Sequence, residues 1–115
     1  MGGSRVVNKH LHCVINTPAL HGGVAFVVNL STCVRGSDAS CILKSGDHDW
    51  IEHDSFVDYN FAKCVAVSDL VALTKPTPPR LYLKPEMRPE VLARIIAGAR
   101  KTKFLAPKFL EYLDA

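Results

Sequence analysis

The chain has 115 residues, 48% hydrophobic and 22% charged, with a formal net charge of +3, which is the size and balance of one globular core. It is too short for two ordinary domains and too apolar for disorder, and its longest apolar run, Gly22 to Leu30, contains Asn29 and falls far short of the roughly 20 residues of a membrane-spanning helix. So mild a charge does not by itself require a nucleic-acid partner, and the N-terminus lacks the apolar core and cleavage site of a secretory signal, which predicts a cytoplasmic protein with no membrane attachment.

Leu11-His12-Cys13-Val14-Ile15-Asn16 is β-branched and apolar and stops at Thr17-Pro18, which predicts a first strand. The turn Leu20 to Gly23 leads into Val24 to Ser31, a continuous apolar run that predicts a central strand covered on both faces. Arg35-Gly36-Ser37-Asp38 reads as loop and Cys41-Ile42-Leu43 as a short edge strand. His48 to Asp58 alternates poorly, anchored by Trp50, Ile51, Phe56 and Val57, whereas Phe61 to Val67 reads as strand again. Ser68-Asp69 has the form of a helix cap opening one short turn, Leu70 to Leu73.

Lys75-Pro76-Thr77-Pro78-Pro79 fits neither helix nor central strand and predicts a stiff extended connector. After Pro85 and Pro89, the residues Val91, Leu92, Ile95, Ile96 and Ala99 fall on one face of an amphipathic helix. Pro107 opens a last short helix that packs Phe109, Leu110 and Leu113 inward. The expectation is an α+β fold and a single domain over 1–115, with a β unit at about 8–74, a proline-rich connector at 75–80 and a helical tail at 81–115.

Cys13, Cys33, Cys41 and Cys64 contain no CxxC and lie in or beside apolar runs, so they read as free thiols used as small hydrophobes, a Cys33 to Cys41 bridge being the alternative. Walker, GxGxxG, HExxH and GxSxG patterns are absent from the sequence, which removes the strongest nucleotide, protease and hydrolase signals. Charge is unevenly spread. Asp47 to Asp58 holds five acids and no Lys or Arg, while Arg94, Arg100, Lys101, Lys103 and Lys108 form a basic stretch without an acid. That stretch is either a solvated helix face or a positive pole for phosphate.

Three places collect polar residues: His10 and His12, the run Asn29-Ser31-Thr32, and the group His48, Asp49, His53 and Asp54. Pairing the first two strands through the Thr17 to Gly23 turn sets His12 roughly opposite Val28 to Ser31, so that a histidine and a hydroxyl face one another. Histidine titrates near neutrality and can serve as general base or acid, and a hydroxyl can orient a phosphate. The five-residue spacing of His48 and His53 suits neither helix nor strand, so this polar group reads as a turn pinned by side-chain hydrogen bonds and not as a metal site.

Taken in order, His12-Cys13-Val14-Ile15-Asn16, the strand end Leu30-Ser31-Thr32, Gly46-Asp47-His48 with Ser55-Phe56-Val57, Ser68-Asp69-Leu70 and Leu83-Lys84-Pro85-Glu86-Met87 resemble the layout of the PemK/MazF-like family. Members are small SH3-like barrels, many of them endoribonuclease toxins paired with an antitoxin; the acidic, His-containing loop is closest to their uncharacterised small bacterial relatives. The resemblance covers about Leu11 to Ala97. It implies a small SH3-like antiparallel β-barrel followed by C-terminal helices, cleaving single-stranded RNA without metal or cofactor, with an antitoxin or other protein partner and a homodimer in prospect. By it Ser31 or Thr32 matches the hydroxyl of the family's second motif. His12 stands where the family commonly has its catalytic arginine, and Met1 to Lys9 offers no match for the family's opening strand with its Gly-Asp pair. Lys9, Arg35, Arg94, Arg100, Lys101 and Lys103 would hold phosphates. The alternative is a non-catalytic SH3-like interaction module that binds a protein partner.

Overall fold

A computed structural model describes residues 11–114; Lys9 and His10 lie outside them. The chain is α+β. Four antiparallel strands, β1 (His12–Val14), β2 (Val24–Thr32), β3 (Ile42–Leu43) and β4 (Ser55–Ala66), form one sheet in the order β1-β2-β4-β3. Helix α1 (Val67–Ala72) follows β4 directly, α2 (Pro89–Lys101) packs against the sheet, and 3-10 turns occupy Pro18–His21 and Pro107–Tyr112. Among the described residues no helix is long and apolar enough to cross a membrane.

The apolar run forms one of the two inner strands of the sheet. β2 lies between β1 and β4, and Ala25 to Leu30 and Asn29 within them are buried on both faces, as strands that are covered on two sides require. The short β3 is an outer strand, as expected of Cys41 to Leu43.

The region after it differs from expectation. One twelve-residue strand, β4, replaces an irregular stretch and a separate strand. Ser55, Val57 and Tyr59 alternate inward, but the pairing then slips: Val27 faces Lys63 while Asn29 faces Asp58. That bulge breaks the two-residue period a sequence reading depends on. Helix α1 also starts one residue earlier than the Ser68-Asp69 cap, with no side-chain cap bond. The proline-rich connector is not extended but folded back, because the Leu73 carbonyl accepts the N–H of both Arg80 (2.9 Å) and Leu81 (3.1 Å).

One cluster joins sheet, helix and tail. Phe26, Val28, Leu30, Val57 and Tyr59 pack beneath Val91, Ile95 and Ala99 of α2, and Leu105 and Leu113 close the end. Leu92 and Ile96 are only half-buried, so the buried stripe is narrower than the predicted one and includes Gly98. The reason is Tyr59. Its hydroxyl, fully buried, donates to the Ile95 carbonyl at 2.6 Å, and it reaches that carbonyl through the space a side chain at position 98 would fill. A Cβ there would collide with the Tyr59 hydroxyl and lie 2.9 Å from Cys41 Cβ and 3.0 Å from the Ser40 carbonyl oxygen. Burial drives the Tyr59 phenol far above its ordinary range, with neighbouring Cys41 adding to the effect, so the hydroxyl stays a donor.

Gly98→Ala is expected to destabilise the protein by about 1–3 kcal/mol through overpacking, although alanine in a free helix gains about 1 kcal/mol over glycine. The loss shrinks when Tyr59→Phe is added, because the hydroxyl no longer blocks the methyl. Urea unfolding of the two single variants and the pair measures both effects.

Candidate functional site

The β1–β2 pairing places His12 opposite Asn29, and the β2–β4 pairing places Asp58 on the other side of Asn29. Directly opposed residues of antiparallel strands share a face, so His12, Asn29 and Asp58 form a polar row across three strands. Ser31, two residues on from Asn29, lies on the same face, and Asn29 Nδ2 donates to Ser31 Oγ at 3.4 Å. Asn29 is 8% exposed, and its Oδ1 is buried with no hydrogen-bond partner among the described residues. An unsatisfied buried carbonyl costs about 1–3 kcal/mol, and native structures keep few of them.

Thr32 points the opposite way from Ser31, so the two hydroxyls belong to different faces. At this strand end Thr32 Oγ1 lies 2.8 Å from His53 Nε2, an exposed histidine–hydroxyl pair beside the loop that carries the exposed Arg35. The β2–β4 register brings Thr32 opposite Ser55 and with it the residues just before β4; nothing in the local sequence announces the pair.

The group His48, Asp49, His53 and Asp54 is drawn to separate partners. His48 is a structural tie: Nε2–H donates to the Pro85 carbonyl at 2.7 Å, and Nδ1 accepts the Trp50 N–H at 3.1 Å. Asp54 pairs with Lys44 at 3.1 Å, and Asp49 is exposed. Among the described residues no three His, Cys, Asp or Glu side chains come together in an arrangement able to hold a metal. The four cysteines are free and unbridged. Burial pushes the Cys13 thiol up to about 11 and raises that of Cys41, so these thiols stay protonated at neutral pH.

The basic stretch divides in two. Arg94 donates to the Ile42 carbonyl at 2.7 Å and to Asp47 at 3.2 Å, and Arg100 donates to the Asp114 carbonyl at 3.2 Å. Lys101 and Lys103 are exposed; Lys103 Nζ sits 5.7 Å from the Phe104 ring centre. Asp47 is the anchor of this corner, accepting the Lys44 N–H at 2.8 Å and facing Arg88 at 3.9 Å. The Lys44 N–H, followed by Arg94 and Arg88, holds its carboxyl below the ordinary range against the opposing effect of burial.

No family model matches the chain, and the searches of curated proteins and of solved structures also return no match.

Arg94→Ala is expected to cost about 1–2 kcal/mol in stability, having lost a carbonyl and a carboxylate contact, whereas Lys101→Ala and Lys103→Ala stay within about 0.5 kcal/mol; thermal midpoints give the comparison. A carboxyl held low in the folded state stabilises the fold above the unfolded value of about 4 and ceases to do so as pH falls through the folded value. Asp47→Asn is therefore expected to lower the midpoint at neutral pH and to flatten its fall on acidification, measured by melting across a pH series.

Proposed function

We propose that the chain is an RNA-directed domain of the PemK/MazF type, an SH3-like barrel in the cytoplasm that binds single-stranded RNA and cleaves it without a metal. The observation that supports this reading is Asn29: a buried amide whose Oδ1 has no partner among the described residues, hydrogen-bonded to Ser31 and opposite His12, follows the apolar run Val24 to Val28 within β2. A group kept there at a cost to stability suits a ligand that supplies the missing hydrogen, and the 2′-hydroxyl and base amino groups of RNA are such donors.

In this reading His12 takes the proton from a ribose 2′-hydroxyl. The 2′-oxygen attacks the adjacent phosphorus, the bond from phosphorus to the 5′-oxygen breaks, and the leaving oxygen takes a proton from water while His12 later returns its own to solvent, giving a 2′,3′-cyclic phosphate and a free 5′-hydroxyl. Ser31, accepting from Asn29, keeps its own proton to donate to a phosphoryl oxygen as charge builds there. Lys101, Lys103 and Arg35 remain the exposed cations for the backbone; Arg94 and Arg100 would have to give up internal contacts to join them.

That internal use of two arginines favours the second reading, a non-catalytic SH3-like module whose partner is an antitoxin or another protein.

Mixed-sequence single-stranded RNA incubated with the pure protein is expected to be cut equally with and without a chelator, and His12→Ala to slow cutting by about 10²–10⁴-fold. Asn29→Leu separates function from folding: cleavage falls, while stability holds or rises because the orphaned carbonyl is gone. RNA left intact by the unaltered protein would move the assignment to the interaction module.

A further inference from the structure

The loop at 44–51 and the segment at 81–88 are tied together by His48 and by Arg88, which donates to the Gly46 carbonyl at 2.9 Å. Where they meet, Trp50 is 54% exposed and Tyr82 56% exposed, unusual for large aromatic side chains. Between the rings lies a cation of the protein's own: Lys84 Nζ sits 3.8 Å from the Trp50 ring centre and 5.4 Å from that of Tyr82. An ammonium group against two aromatic faces is the geometry by which proteins recognise such groups.

The surroundings select for charge. Asp49, Glu52 and Glu86 are exposed carboxylates, and where the two segments meet a cavity of about 200 Å³ is lined by Asp47, Asp49 and Glu86 together with Arg88. Exposed aromatics can also serve as stacking platforms for single-stranded RNA, but this acidic loop repels phosphate and attracts an ammonium. The segment carrying Lys84 has no helix or strand bonds to hold it, so its side chain can leave without unfolding anything.

We propose that Trp50 and Tyr82 form a cage for a lysine side chain on a basic segment of a partner protein, and that Lys84 fills the cage in the free protein as a stand-in that the partner displaces. The cage lies apart from the His12–Asn29 row and does not depend on RNA cleavage.

Trp50 is the only tryptophan in the chain, so its fluorescence reports on the cage directly. The full chain is titrated at constant ionic strength with a capped lysine amide, its trimethylated form and a capped glutamine amide. Both lysine ligands are expected to give saturable changes and glutamine none. Lys84→Gln tightens binding about 3–10-fold by removing the internal competitor, and Tyr82→Leu weakens it by a similar factor. Tyr82 is exposed and Lys84 half-buried, and an unchanged melting midpoint confirms that each variant is folded. Absence of a saturable response in Lys84→Gln overturns the proposal, as does an affinity that neither variant changes. A stronger response to single-stranded RNA that fades with salt would make the surface a nucleic-acid platform, and self-association abolished by Lys84→Gln would place a second copy's lysine in the cage; either result overturns the partner assignment.

Discussion

The hydrogen bond from the Tyr59 hydroxyl to the Ile95 carbonyl sets how closely α2 lies on the sheet. Both partners are removed from water, so leaving either unpaired costs about 1–3 kcal/mol, and the bond can form only because position 98 carries no side chain. With α2 held at that distance, Val91, Ile95 and Ala99 meet Phe26, Val28 and Val57, and Cys41 and Leu43 at the short outer strand are sealed beneath the helix. A two-residue strand has little holding power of its own; β3 keeps its place because Arg94 on the helix grips the Ile42 carbonyl.

Electrostatics continues the same closure. Asp47 collects Arg94, Arg88 and the Lys44 N–H at one corner of α2. At the far end of the chain Asp114 accepts from the Thr17 hydroxyl at 2.7 Å and lies 2.9 Å from His21, while Thr102 donates to Asp38 at 2.7 Å. Acidic and basic blocks well separated in sequence thus meet in space and partly neutralise one another. The positive pole that a linear reading suggests is reduced to the side chains these contacts do not use, Lys101, Lys103 and Lys108.

Two polar surfaces of different make-up result. The row across β1, β2 and β4 offers a buried amide acceptor, a hydroxyl and a histidine, suited to a ligand rich in hydrogen-bond donors. The loop at 44–51 with its acids and exposed aromatic faces suits a cation. A chain with one core can carry both because each uses a different constraint: the row is fixed by strand register, the cage by loops tied through His48 and Arg88.

The sequence alone determined what depends on local pattern. The apolar run of β2, the stripe of α2, the edge character of β3 and the opposition of His12 to the Asn29 region follow from residue periodicity and from the proline and glycine signals between elements. What depends on contacts distant along the chain was decided by tertiary structure. The length of β4 was hidden by a bulge that interrupts its alternation, and the folding back of the connector rests on one carbonyl, that of Leu73. The need for glycine at 98 arises from a tyrosine 39 positions earlier. Thr32 meeting His53, Arg94 bonding to the Ile42 carbonyl and Lys84 settling against Trp50 and Tyr82 each join segments whose approach no local period encodes, because a hydrogen bond or a ring contact is fixed by the packing that brings its partners together.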